Sequence, residues 1–131
     1  MREVITTEKA GAPSGAYSQA IRVGNLVWTA GMGPSDPTTK QLVAPGDIAA
    51  QTTQTLKNLE ATLQKAGTSL AHAIRVGAFI DDIAKWGEFN EAYKAFFAQF
   101  NSPPPARTTV SVGGFPDGMT VEIDVVAVIP D

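Results

Sequence analysis

The sequence predicts an α+β domain in which a mixed β-sheet carries two helices packed on one face. Three observations carry that reading. Two stretches repeat apolar residues at helical spacing, and strand-like stretches flank them in the order β-ββ-α-β-α-ββ. The final strand is apolar at both parities, a pattern that calls for burial on both sides. The 131 residues suffice for one hydrophobic core and not for two, so residues 1–131 are expected to form a single domain.

In chain order, residues 4–6 form a short edge strand, and residues 19–23 and 26–30 form a hairpin. Gly24-Asn25 supplies the two residues between them that tolerate positive φ. Residues 31–46 are rich in Gly, Pro, Ser, Asp and Thr, which cannot sustain a ladder and predict an exposed loop of the kind that often carries function. A helix spans 48–66, with Asp47 as N-cap, Gly67 just past the end, and Ala49, Thr52, Leu56, Leu59, Leu63 and Ala66 on one stripe. Ser69 caps a short turn. Ile74, Val76, Ala78 and Ile80 then alternate with Arg75, Gly77 and Phe79 in a half-buried strand ending at Asp81-Asp82.

The second helix, 86–99, aligns Phe89, Tyr93, Phe96, Phe97 and Phe100 before Asn101-Ser102-Pro103-Pro104-Pro105 stops it. Strands at 107–112 and 120–129 are expected to pair antiparallel across the loop 113–118. In the last of these, Val121, Ile123, Val125, Ala127 and Ile129 occupy one parity while Val126 and Val128 occupy the other. Two helices cover one sheet face. Another copy of the chain is expected to cover the second in a closed homo-oligomer.

Composition narrows the chemistry. Lys and Arg number 10 against 13 Asp and Glu, for a net charge of −3, and the cations stand singly. No basic stripe is available to neutralise phosphates, which argues against nucleic acid as the main partner. With no cysteine there is no disulfide framework, thiolate metal site or cysteine nucleophile, and the one histidine, His72, lacks the carboxylate neighbours a metal would need. No metal and no organic cofactor is expected. There is no long apolar run and no basic start followed by one, so a cytoplasmic protein without membrane contact is expected.

Five residues stand out. Arg107 opens a strand, where a guanidinium grips a carboxylate bidentately or makes a rim ion pair. Glu122 sits in the apolar run Val121 to Val126, where a carboxylate needs a partner or a raised pKa; it is a candidate base or half of a cross-strand ion pair. If the loop 113–118 closes symmetrically, these two meet diagonally or between subunits. Tyr17 lies in a small-residue segment from which a phenol reaches a cleft or packs in a core. Gly31 opens the loop with backbone N–H groups available to an anion, and Asn90 flanks the aromatic stripe. His72 and Asp81-Asp82 read as surface or terminator residues, and Trp28 and Trp86 as packing residues.

The segments Gly15-Ala16-Tyr17-Ser18-Gln19-Ala20, Thr29-Ala30-Gly31, Phe89-Asn90-Glu91-Ala92-Tyr93, and above all Pro105-Ala106-Arg107 with Val121-Glu122-Ile123, closely resemble the RidA/YjgF family of enamine/imine deaminases. That resemblance spans almost the whole chain. It implies a chorismate-mutase-like fold, a homotrimer and pockets between subunits. It also implies that Arg107 binds the substrate carboxylate and that Tyr17, Gly31, Asn90 and Glu122 hold the other pocket positions. The deaminase branch carries a cysteine where this chain has Thr109, so covalent thiol chemistry is excluded and the pocket changes shape.

The implied reaction is hydrolysis of a 2-imino acid to a 2-oxo acid and ammonia. Arg107 grips the carboxylate with a Gly31-region amide, Glu122 positions or deprotonates water, and Tyr17 orients it. The alternatives are a non-enzymatic binder of small carboxylates or 2-oxo acids and, from the same family, an endoribonuclease or translation inhibitor. A pericyclic mutase would want a second strong cation near Arg107, and none is evident in the sequence.

Overall fold

A computed structural model describes residues Met1–Asp131. Strands β1 (Arg2–Ile5), β2 (Ala20–Val23), β3 (Leu26–Thr29), β4 (Ala73–Ile80), β5 (Ala106–Ser111) and β6 (Val121–Val128) form one mixed sheet in the order β1-β2-β3-β6-β4-β5. Helices α1 (Ile48–Ala66) and α2 (Trp86–Phe97) lie on one face of it. The α+β architecture with two helices on one side is therefore as the sequence predicts.

Helix α1 begins and ends where its caps dictate. Asp47 Oδ1 accepts a hydrogen bond from the Ala50 N–H at 3.1 Å, and Gly67 takes the left-handed conformation at φ 98° while its N–H reaches the carbonyls of Leu63 and Gln64. Leu56, Leu59 and Leu63 of α1 and Phe89, Tyr93 and Phe97 of α2 bury against Val76, Ala78, Ile80, Val121, Ile123, Val125 and Ala127. Ser69 caps a 3-10 turn at Leu70–His72, and Asp82 caps another at Ile83–Lys85.

Strand pairing differs from expectation at the far edge. β5 does not pair with β6; it runs parallel to β4, with Val76 opposite Arg107 and Ile80 opposite Ser111. Helix α2 is the crossover that turns the chain for parallel pairing. β6 instead inserts antiparallel between β3 and β4. The strand apolar at both parities thus takes an interior position, and β5, with Arg107, Thr108, Thr109 and Ser111, takes the edge.

Ile74 is also not a core residue. The register shifts between Ala73 and Arg75, so one extra residue on β4 bulges and leaves Ile74 48% exposed, while Ala73 packs on the core in its stead. Helix α2 closes at Phe97, and Gln99 lies in the turn beyond it.

The loop 31–46 is not wholly exposed. Met32 is buried and exchanges both backbone hydrogen bonds with Ile123. Further along, the loop is pinned by a polar stripe of α1 that apolar periodicity does not register. Asn58 Nδ2 donates to the Gly33 and Ser35 carbonyls, and Gln51 Nε2 donates to those of Val43 and Gly118. Gln51 Oε1 accepts from the N–H and hydroxyl of Thr120, which ties the 113–118 loop to the same helix.

The sheet face away from the helices has no cover within the chain. Trp28, 50% exposed, lies directly across from Val126 there, alongside the half-buried Glu122 and Asp124.

Candidate active site

Side-chain parity decides where the candidate residues stand. Val76 pairs with both Arg107 and Val125, so Arg107 projects on the helix-covered face. Phe79 pairs with Glu122, and its parity is opposite to that of Val76, so Glu122 projects on the open face. The three-residue step from Val76 to Phe79 adds roughly 10 Å along the strand. Arg107 and Glu122 of one chain therefore cannot serve one small ligand, and a diagonal meeting within the chain is ruled out.

On the helix side, Arg107 Nη2 donates to Asn90 Oδ1 at 2.9 Å. The guanidinium carbon lies 4.5 Å from the ring centre of Tyr93, 5.3 Å from that of Phe89 and 5.7 Å from that of Trp86. It makes no ion pair; Lys85–Asp81 is the ion pair of the chain. Five N–H donors on a fixed cation thus meet one neutral acceptor and three aromatic rings. The adjoining cavity, about 580 Å³, is lined by Asn90, Tyr93, Lys94, Phe97 and Arg107 among others, and by no carboxylate. Two cations and no anion in that lining suit an anionic ligand.

Tyr93 is a core residue with a second aspect. Its hydroxyl is buried with no hydrogen-bond partner within 3.5 Å, and the Arg107 guanidinium carbon lies 4.5 Å from the ring centre. Burial pushes the phenol up to about 12, against the opposing pull of the Arg107 charge. Thr109 shares the Arg107 face, opposite Ala78, and its hydroxyl is likewise buried without a partner.

On the open side, Tyr17, Gly31 and Glu122 line one cavity of about 270 Å³ with Met32, Asn58, Phe115 and Met119. The Glu122 carboxylate lies over Gly31: a Cβ there would stand 2.6 Å from Glu122 Oε2. Only glycine leaves that space. Glu122 has its pKa raised, first by burial and then by the neighbouring charge of Asp124 on the same strand face. Tyr17 is half exposed, and its hydroxyl accepts from the Ser14 N–H at 3.1 Å.

Each candidate residue thus belongs to one of two clusters, Arg107, Asn90 and Thr109 on one sheet face and Tyr17, Gly31 and Glu122 on the other. Lys94 was not singled out in the sequence, and Phe89, Tyr93 and Trp86 were expected to pack rather than to surround Arg107. The spacing of Trp86, Asn90 and Lys94, four residues apart on α2, was the available signal. Lys94 is the second cation in the neighbourhood that a mutase would want, although it is exposed. His72 is exposed, and no three His, Asp or Glu side chains are grouped to hold a metal. No helix is long and apolar enough to cross a membrane.

The family model described as Endoribonuclease L-PSP matches residues 7–129. A RutC family protein of Pyrococcus horikoshii is 42% identical over 127 residues, spanning 97% of this chain and 98% of that one. The 2-iminobutanoate/2-iminopropanoate deaminase of Escherichia coli is 35% identical over 128 residues, with 98% of each chain covered. Among solved structures, the YjgF gene product of E. coli superposes with a TM-score of 0.91 at 34% identity, covering 98% of this chain and 99% of that one. E. coli TdcF with bound serine superposes with a TM-score of 0.90 at 32% identity, covering 96% and 98%. By sequence and by fold, the chain belongs to the Endoribonuclease L-PSP family, the RidA/YjgF family that its motifs resemble.

Proposed function

We propose that this chain, one domain over residues 1–131, assembles as a homotrimer and hydrolyses reactive 2-imino acids and their enamine tautomers to 2-oxo acids and ammonia. The single observation that carries the reading is the division of the site. Arg107, without a counter-ion beside an anion-suited cavity, and Glu122, with a raised pKa over Gly31, stand on opposite faces of one sheet. A neighbouring copy that covers the open face, with its exposed Trp28, brings the two clusters together.

In that arrangement Arg107 of one copy grips the substrate carboxylate bidentately, with Asn90 holding the guanidinium. Glu122 of the next copy, ionised, accepts a proton from water as the water oxygen bonds to the C2 carbon of the protonated imine. Tyr17 orients that water, and a backbone amide near Gly31 contacts the carboxylate. Glu122 returns the proton to the carbinolamine nitrogen, the C–N bond breaks as the carbinolamine hydroxyl gives its own proton to Glu122, and ammonia takes that proton away as ammonium, leaving the 2-oxo acid behind. Thr109 borders the site where a thiol would otherwise stand, so no covalent intermediate forms on sulfur. Such imines hydrolyse unaided, and each tenfold acceleration asks only about 1.4 kcal/mol of the protein.

The name of the E. coli relative supports this substrate class. We place the activity in the cytoplasm, clearing 2-aminoacrylate-type products released by pyridoxal-phosphate enzymes. The test is ammonia release from enzymatically generated iminopropanoate: the wild-type chain accelerates it, and Arg107→Ala does not. Acceleration that survives Arg107→Ala defeats the assignment. A second reading, retention of a small carboxylate without turnover, draws on the serine bound in TdcF. Calorimetric binding of a 2-oxo acid with no gain in imine hydrolysis would select it.

A further inference from the structure

Resting on the proposed carboxylate grip of Arg107, we infer that Trp86 is a positioning residue that fixes the arginine before the ligand arrives. An arginine side chain without an ion pair ordinarily samples many rotamers, and a ligand must then bear the ordering entropy. Here the guanidinium has one hydrogen bond, to Asn90, and its carbon lies within 5.7 Å of three ring centres from one helix, those of Phe89, Tyr93 and Trp86. Phe89 and Tyr93 are core residues at 0% and 4% exposure and would be present for packing alone.

Trp86 is different. It is 41% exposed, stands at the first position of α2, and its indole is the ring that is not demanded by the core. The spacing to Asn90 is one helical turn, so Trp86 and Asn90 approach Arg107 from the same helix face. The indole offers the strongest cation–π partner among the side chains. Together they restrain the guanidinium where Arg107 lines the cavity.

The experiment is calorimetric titration of the purified full chain with 2-oxobutanoate, a 2-oxo acid that is stable in water, on wild type, Trp86→Leu and Trp86→Phe. Leucine keeps apolar bulk and removes the aromatic face; phenylalanine keeps a face. Trp86→Leu is expected to weaken binding by about threefold to fivefold, with solution mass and Tm preserved, and Trp86→Phe to return it to within about twofold of wild type. In steady state the same loss appears in KM, with kcat held. Wild-type affinity in Trp86→Leu overturns the inference, as does a Trp86→Phe variant as weak as Trp86→Leu. A change of solution mass in Trp86→Leu overturns it too, by making Trp86 an interface residue.

The two readings fail separately. Trp86-dependent binding without imine hydrolysis keeps the positioning role and defeats the deaminase assignment. Imine hydrolysis that Trp86→Leu leaves untouched does the reverse. A chain that binds no 2-oxo acid defeats the positioning role outright.

Discussion

Replacing Gly31 with alanine tests whether the placement of the Glu122 carboxylate governs activity. The added Cβ would stand 2.6 Å from Glu122 Oε2, 2.8 Å from its Cδ and 3.1 Å from its Cγ. Ordinary contact begins near 3.4 Å, so the carboxylate must retreat by about 0.8 Å. It is the end of a flexible chain beside a cavity, so the fold absorbs the change at a cost of about 1 kcal/mol or less. Catalysis does not absorb it, because misplacing a reacting group by about 1 Å can cost roughly 100-fold. The expected result is therefore a fall in kcat/KM for iminopropanoate of about 30-fold to 100-fold, with a Tm within a few degrees of wild type. Glu122→Asp shortens the side chain by one methylene and makes room for the new methyl group. The double variant should then show coupling of at least about 1 kcal/mol relative to the sum of the single changes. Activity in Gly31→Ala within about twofold of wild type, or additive effects in the cycle, would refute the reasoning.

Four further outcomes follow from the structure. Arg107→Lys keeps the charge but loses the planar fork and the seat on Asn90, and kcat/KM should fall about 10-fold to 100-fold, mainly through KM, in steady-state assays. Glu122 has a folded-state pKa above 4.5, so its ionised form opposes folding; Glu122→Gln should raise Tm at pH 7, with the gain vanishing as pH falls below about 4.5 in thermal melts. The wild-type rate should likewise drop on acidification with a midpoint above 4.5, since Glu122 acts as a base. Gln51→Ala removes a fully buried amide that bridges two loops through the Val43 and Gly118 carbonyls and Thr120, and should destabilise by about 3 kcal/mol, lowering Tm by roughly 10 °C.

What was legible in the sequence was local. The ends of α1 follow from Asp47 and Gly67, whose side-chain acceptor and left-handed backbone act within a few residues, and the hairpin follows from Gly24-Asn25. Strand partners were less legible, because the parallel pairing of β4 with β5 depends on where α2 returns the chain, not on any turn between β5 and β6. One bulged residue was enough to turn Ile74 outward against an alternation that otherwise held. The candidate residues were legible as a set, through motif resemblance and through unusual positions such as Glu122 in an apolar run. Their division between two faces was not, since it rests on the pairing of Val76 with Arg107 and of Phe79 with Glu122. The polar pair Gln51 and Asn58 on α1 was not legible because a pattern of apolar residues does not count side chains that bury by binding loop carbonyls.

The proposed division of one active site between two copies is tested most directly by complementation. Arg107→Ala and Glu122→Ala, each inactive alone, are unfolded together in equal amounts and reassembled. A site that draws Arg107 from one copy and Glu122 from the next regains both in about one site of four under random assembly, so the mixture should recover about a quarter of the wild-type rate of imine hydrolysis. A mixture no more active than either variant alone would contradict the account.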